Sequence, residues 1–181
     1  MKLTRIIRSG EWWEYKLPPL LALGYATVVQ SGQSIYAFTG QLAFLLVSII
    51  IGAVYVSLVN DMTDMEEDRL SGKHNRLSRM APSLRWLLLM VSLTLGAYCA
   101  WRMRGDVWTL SLYLASYLSF TLYSVPPFRL KKRGFGGVMA DACGAHLFPS
   151  LLLVAGTSYF LVQPINWLWF GSVGVCAFMD G

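Results

Sequence analysis

Residues 44 to 59 read FLLVSIIIGAVYVSLV, an apolar run without a single charge. It alternates with neither the period of a half-buried strand nor that of a surface helix. With its flanks, from 38 to 60, it has the length of a bilayer-crossing helix, about 20 residues. Similar blocks occupy roughly 17 to 31, 84 to 101, 106 to 125, 138 to 162 and 165 to 180. The expected fold class is therefore all-α, a polytopic transmembrane helix bundle with about six spans. No low-complexity linker divides it, so residues 1–181 read as one domain. Composition agrees: 14% of residues are charged and mean hydropathy is +0.49, whereas a soluble domain carries about 25% charged residues. Pro18 and Pro19 stand at the start of the first block, where a helix tolerates them. Pro149, with Gly144 and Gly156, predicts a kink in the fifth. The opening MKLTRIIRSGEWWEYK lacks the apolar core and cleavage site of a signal peptide. It reads as an interfacial helix with Trp12, Trp13 and Tyr15 at headgroup depth.

The net charge of +5 does not point to nucleic acid, because the basic residues sit in short connections between apolar blocks. Membrane lipids and an anionic substrate fit them better. Of 15 Lys and Arg residues, all but Arg102 and Arg104 fall in the N-terminal segment, the second-to-third connection and the fourth-to-fifth connection. The positive-inside rule then places the N-terminus and both of those loops in the cytoplasm. Cys99, Cys143 and Cys176 lie inside apolar blocks without metal-type spacing and read as small buried residues.

The apolar run ends in NDMTDMEED, and five of the ten carboxylates fall between Asp61 and Asp68. A helix turns by roughly 100° per residue, which puts Asp64 about 60° from Asp61 and Asp68 about 20° from it. The three therefore share a helical face, while Glu66 and Glu67 point elsewhere. Like charges held together need a reason. Hard divalent cations take oxygen ligands, and Mg²⁺ is typically held by one or two carboxylates plus substrate phosphates. Asn60 precedes the cluster, and Lys73, Arg76 and Arg79 follow it. Carboxylates for a metal, then cations for phosphate, is the layout of a magnesium–diphosphate site. The plainer alternative is a solvated charged loop that stops the span.

The second informative stretch is YSVPPFRLKKRGFGG, residues 123 to 137. Its proline pair closes the fourth span. Arg129 and Lys131, two apart, point the same way if the segment is extended. The glycines that follow allow a tight return to the fifth span. Within that span, Asp141 lies about one turn from its start, and an ionisable group there is a functional candidate. His146 stands well around the helix from Asp141, by about 140°, and is no obvious partner for it.

NDMTDMEED resembles the N-D-x-x-D-x-x-x-D signature of the UbiA-type intramembrane prenyltransferase superfamily. YSVPPFRLKKRG resembles that superfamily's later basic loop, in the Y-S-x-P-P-x-K-L-K form of chlorophyll synthase-like and archaeal lipid-forming members. The resemblance implies that Asp61, Asp64 and Asp68 are the catalytic carboxylates and hold Mg²⁺ on an isoprenyl diphosphate, with Asn60 assisting. It implies diphosphate contacts from Lys73, Arg76, Tyr123, Arg129 and Lys131, although KHNRL departs from the R-T-x-x-R-P of aromatic-prenylating relatives. The implied reaction is loss of diphosphate, followed by capture of the allylic group by a lipophilic acceptor, aromatic or otherwise. Tyr113, Tyr117, Phe120 and Trp108 are candidates to stabilise the cation. The family is expected to have about nine spans and a second aspartate motif after the sixth. The chain ends VCAFMDG and reads as the N-terminal two-thirds of that fold.

Three other readings compete. A CDP-alcohol phosphotransferase would carry D-G-x-x-A-R, which is absent. A membrane cation transporter with an acidic cytoplasmic site would not need the PPFRLKK loop. A non-catalytic truncated family member would keep the fold without turnover.

Overall fold

The computed structural model describes residues 16–181. The proposed interfacial helix up to Tyr15 lies outside the described residues. Each of the six apolar blocks is a helix: α1 (Leu17–Gln30), α2 (Ile35–Leu70), α3 (Pro82–Met103), α4 (Val107–Ser124), α5 (Phe135–Phe160) and α6 (Trp167–Met179). No strand occurs among the described residues. Prolines open α1 and α3, where an absent N–H costs nothing. Asp106 caps α4, its Oδ2 accepting from the Thr109 backbone N–H at 2.7 Å, and Asn166 caps α6 in the same manner.

Three of the helices, α2, α3 and α5, are long and apolar enough to cross a membrane. This is narrower than the six spans expected. At 1.5 Å per residue, α1 and α6 extend only about 20 Å, short of a hydrocarbon core of about 30 Å. The architecture is a helical membrane bundle. Its core lies where α1, α2 and α5 meet, around Val28, Phe38, Leu45, Leu152, Leu153 and Val154. By contrast, α3 turns Trp86, Leu87, Met90, Leu95 and Tyr98 outward.

Two local features position the site. Helix α2 does not stop where the apolar run stops. No Gly or Pro interrupts it after that run until Gly72, whose φ of +67° reverses the chain. Its final turns, from Asp61 to Leu70, therefore project about 15 Å beyond the spanning part. The kink expected in α5 is a widened turn over Ala142–Leu147, immediately before Pro149. Proline lacks the N–H for a regular bond and its ring crowds the preceding turn, so the helix widens there. Gly144 sits in that turn, and a Cβ on it would stand 2.8 Å from the Phe120 ring. The wide turn and the bare backbone together let α4 approach α5.

Candidate functional site

The projecting end of α2 is clasped from two sides. On one side is the turn between α2 and α3. Asn75, 5% exposed, donates through Nδ2 to the Asp61 carbonyl and to Asp68 Oδ2, each at 2.8 Å, and its Oδ1 accepts the Leu77 N–H at 3.0 Å. That frame delivers Arg76 to the Asp61 carboxylate at 2.7 Å, with Ser57 Oγ at 3.3 Å. On the other side is the loop between α4 and α5. Arg129 donates to Asp64 Oδ1 at 2.8 Å, to Glu67 Oε1 at 2.6 Å and to the Thr63 carbonyl at 3.2 Å. Lys131 Nζ donates to Asp64 and to Asn60 Oδ1, the latter at 2.9 Å, and Lys132 pairs with Glu67. Ser124 Oγ also donates to Asn60 Oδ1, at 3.2 Å.

The loop reaches Asp64 by a different backbone route from the extended one expected. Arg129 adopts the left-handed conformation (φ 42°, ψ 53°) and Leu130–Lys132 form a tight helical turn. The turn packs directly on α5, because Gly137 has no Cβ; one there would stand 2.9 Å from the Leu130 carbonyl oxygen. Both cations still meet the same carboxylate. Their charge decides its protonation. Burial works to raise the Asp64 pKa, but the hydrogen bonds and charges of Lys131 and Arg129 outweigh it and hold the carboxyl below its ordinary range. The hydrogen bond from Lys132 likewise lowers Glu67, against the cost of desolvation and with the Arg129 charge adding to it.

Beside this network lies a cavity of about 350 Å³. Asn60 and Asp64 of the first motif, Tyr123 and Lys131 of the second, and Asp141 of α5 all line it. Lys16, at the foot of α1, lines it too. Burial lowers the Lys16 pKa, against the opposing charges of Asp141 and Asp180. The cavity shares Ala53, Val56, Phe120 and Ala145 with a narrow apolar cleft that runs between α2, α4 and α5.

The sequence-predicted residues thus divide. Asn60, Asp64, Tyr123, Lys131 and Asp141 surround one space. Asp61 and Arg76 pair beside it, and Arg129 joins it through Asp64. Asp68 faces Asn75. Lys73 lies exposed in the turn, its backbone N–H bonded to the Asp68 carbonyl at 2.8 Å. Tyr113, Tyr117 and Phe120 line the cleft, whereas Trp108 packs away from it against Trp167 and Phe170. His146 faces a separate groove, with Nδ1 3.4 Å from Asp180. Glu67, which the helical angle from Asp61 points elsewhere, belongs to the network. It follows Asp64 by three residues, the spacing of neighbours on one helical face, and that spacing was the signal available. Asn75 and Lys16 had no comparable signal.

Magnesium is implied by the resemblance. Among the described residues, no three or more His, Cys, Asp and Glu side chains are grouped to hold a metal ion. The three aspartates do not converge, because each faces a different donor: Arg76, Lys131 with Arg129, and Asn75. The donor set that does line the cavity is Asp64, Asp141 and the Asn60 amide oxygen. It suits a Mg²⁺ ion whose remaining ligands are substrate phosphates and water; it does not make an all-protein cage.

The chain matches no protein-family model and no solved structure. A segment is similar to 2-acylphloroglucinol 4-prenyltransferase of Humulus lupulus, both as a protein described as chloroplastic and as one without that description. In each case the identity is 32% over 89 residues, which is 48% of this chain and 22% of the relative. The matched segment therefore covers less than a quarter of the length of these curated relatives.

Proposed function

We propose that the chain forms the diphosphate-binding part of an integral-membrane prenyltransferase. It moves an isoprenyl group from an isoprenyl diphosphate to an aromatic or other lipophilic acceptor, in a Mg²⁺-dependent reaction at the cytoplasmic face. One observation carries the reading. Asn60 and Asp64, near the end of α2, meet Tyr123 at the end of α4 and Lys131 in the loop after it. They meet around a polar cavity that opens into an apolar cleft. A charged head beside a greasy slot is the shape of an allylic diphosphate. Similarity to an aromatic prenyltransferase supports the same class of chemistry.

In this reading Lys131, Arg129 and Lys16 attract the diphosphate oxygens. They stabilise the negative charge that grows there as the carbon–oxygen bond breaks. Bound magnesium would add Lewis-acid stabilisation of the same leaving group. Asp64 would supply carboxylate oxygen for the ion, Asp61 holds Arg76 beside the site, and Asn60 holds Lys131 in line. The Phe120 ring, at the junction of cavity and cleft, faces the position where the allylic carbon becomes electron-deficient, and it excludes water there. The electrons of the acceptor carbon form the new bond, and the acceptor gives up a proton.

The test is binding of an unreactive geranyl thiolodiphosphate to the purified full chain, with and without Mg²⁺. Wild-type binding is expected to need the ion, and Asp64→Asn is expected to weaken it substantially. Equal binding by wild type and variant would refute the site.

A further inference from the structure

Three spaces in the bundle meet at one methyl group. Ala145, in the widened turn of α5, lines the polar cavity, the apolar cleft and a groove of about 450 Å³ between α1, α5 and α6. It is the one described residue that lines all three. In the preceding reading the carbon–oxygen bond breaks where cavity and cleft join, so the groove is a third approach to that point. Its volume falls in the range of small-molecule sites, roughly 300–1,000 Å³.

Leu20 and Leu23 of α1 and Val173 of α6 give the groove apolar walls. Trp169 adds an indole fixed by its Nε1, which donates to Thr27 Oγ1 at 3.0 Å. His146 and Ser150, one turn apart on α5, bring polar groups to the same space. His146 lies about 16 Å along α5 from Phe135, and an ionisable side chain at such depth in a spanning helix is a functional candidate. Its Nδ1 stands 3.4 Å from Asp180 Oδ2. A carboxylate there favours the proton on Nδ1 and leaves the Nε2 lone pair to accept another. Among the described residues, no hydrogen-bond partner meets Nε2.

We propose that the groove holds the acceptor, as a hydroxyl-bearing aromatic compound, and that His146 accepts its hydroxyl proton. The inference rests on the preceding reading that the cavity takes the isoprenyl diphosphate. The hydroxyl proton passes to Nε2, and an electron pair of the ring carbon beside the hydroxyl forms the bond to the allylic carbon. The bond from that allylic carbon to oxygen breaks and leaves its pair on the diphosphate. The ring, now a dienone, loses the proton of its alkylated carbon to water and recovers a proton on its oxygen from His146. Asp180 stabilises the imidazolium in between.

The test uses the full chain in detergent and two probes, 4-nitrophenol and nitrobenzene, which differ by the hydroxyl alone. Cys176 lines the groove and is exposed, so occupancy is read as slower alkylation of that thiol by iodoacetamide, with the half-buried Cys143 as internal reference. Nitrophenol is expected to protect Cys176 at a concentration about five-fold lower than nitrobenzene needs, the contribution of one neutral hydrogen bond of about 1 kcal/mol. At a pH where the free probe is a neutral phenol, its absorbance is expected to turn to that of the phenolate on binding. His146→Phe, which keeps a ring, is expected to erase both effects. Geranyl thiolodiphosphate with Mg²⁺ is expected to leave the protection in place, since the two ligands occupy different spaces. Equal protection by the two probes, a missing phenolate signal, or effects that persist in His146→Phe would each overturn the inference. So would mutual exclusion of nitrophenol and the thiolodiphosphate. If the thiolodiphosphate binds while nitrophenol gives no protection, the acceptor site falls and the diphosphate reading stands; if the thiolodiphosphate does not bind wild type, both fall. Should His146→Phe not fold, the wild-type comparison of probes, the phenolate signal and co-binding decide the matter.

Discussion

Asn75 is the residue on which the first half of the site hangs, and its truncation has a calculable cost. Asn75→Ala removes three hydrogen bonds: to the Asp61 carbonyl, to the Asp68 carboxylate and from the Leu77 N–H. A bond to a charged group contributes about 1.5–3 kcal/mol and a neutral one about 1 kcal/mol. Asp68 is half-buried, so water recovers part of the loss there. The Leu77 N–H does not have that recourse, since its residue is fully buried. The expected net loss is about 3 kcal/mol. For a chain of this size, each kcal/mol lowers the melting temperature by about 2–4 °C, giving a fall of about 6–12 °C. The assay is intrinsic tryptophan fluorescence in detergent, at one fixed scan rate because membrane proteins commonly melt irreversibly. Asn75→Asp sharpens the test. It keeps the acceptor for Leu77 but sets a second carboxylate against Asp68 and leaves the Asp61 carbonyl without its donor. It is expected to destabilise more than alanine does. A melting temperature within about 2 °C of wild type for Asn75→Ala, or an aspartate variant more stable than the alanine one, would refute the assignment.

Acid is expected to open the second half of the site. Asp64 and Glu67 have folded pKa values below their ordinary ones, 3.8 and 4.5, so their stabilising contribution is full above the ordinary values and is lost as pH falls through the depressed ones. Melting temperature should hold steady from neutral pH to about 5 and drop below about 4, and Asp64→Asn should flatten that drop; an unflattened drop would place its source elsewhere. Orientation is checked by labelling intact cells with a membrane-impermeant maleimide: Ile35→Cys is expected to react and Lys132→Cys to react only after permeabilisation, with the reverse pattern overturning the cytoplasmic placement.

Apolar length alone located each of the described long helices, since a block of that hydropathy must satisfy its backbone internally and only a helix does so within one segment. Helix ends are less legible than helix existence. Helix α2 extends to Leu70 because polarity does not end a helix; a glycine at positive φ does. The paired motifs were legible because residue type and spacing encode them. The way they are held was not. Asn75 is an ordinary polar residue in a turn, and its value arises from burial between Asp61 and Asp68, which only the reversal at Gly72 creates. Lys16 comes to the cavity because α1 packs along α5, a long-range contact without local trace. Arg129 reaches Asp64 through a left-handed backbone that sequence patterns disfavour for arginine. Glu67 falls outside the helical face defined from Asp61, whereas the second loop docks on the strip that begins at Asp64.

That offset explains why one helix can carry so much acid at a membrane face. Asp61 and Asp68 look toward the turn that follows α2, while Asp64 and Glu67 look toward the loop before α5, so each pair receives its donors from a different connection. No single loop could neutralise the whole cluster. The pairing also constrains how an anion can enter. Lys131 already donates to Asp64 and Asn60, and Arg129 to Asp64 and Glu67. In the proposed function, a diphosphate arriving alone would have to draw these cations from carboxylates that are part-buried, and would leave Asp64 without compensation in a poorly solvated site. Accompanied by a divalent cation, it brings the positive charge that Asp64 loses. Under that proposal a requirement for the ion would follow from the charge balance of the resting chain, and it should weaken in Asp64→Asn even as affinity falls.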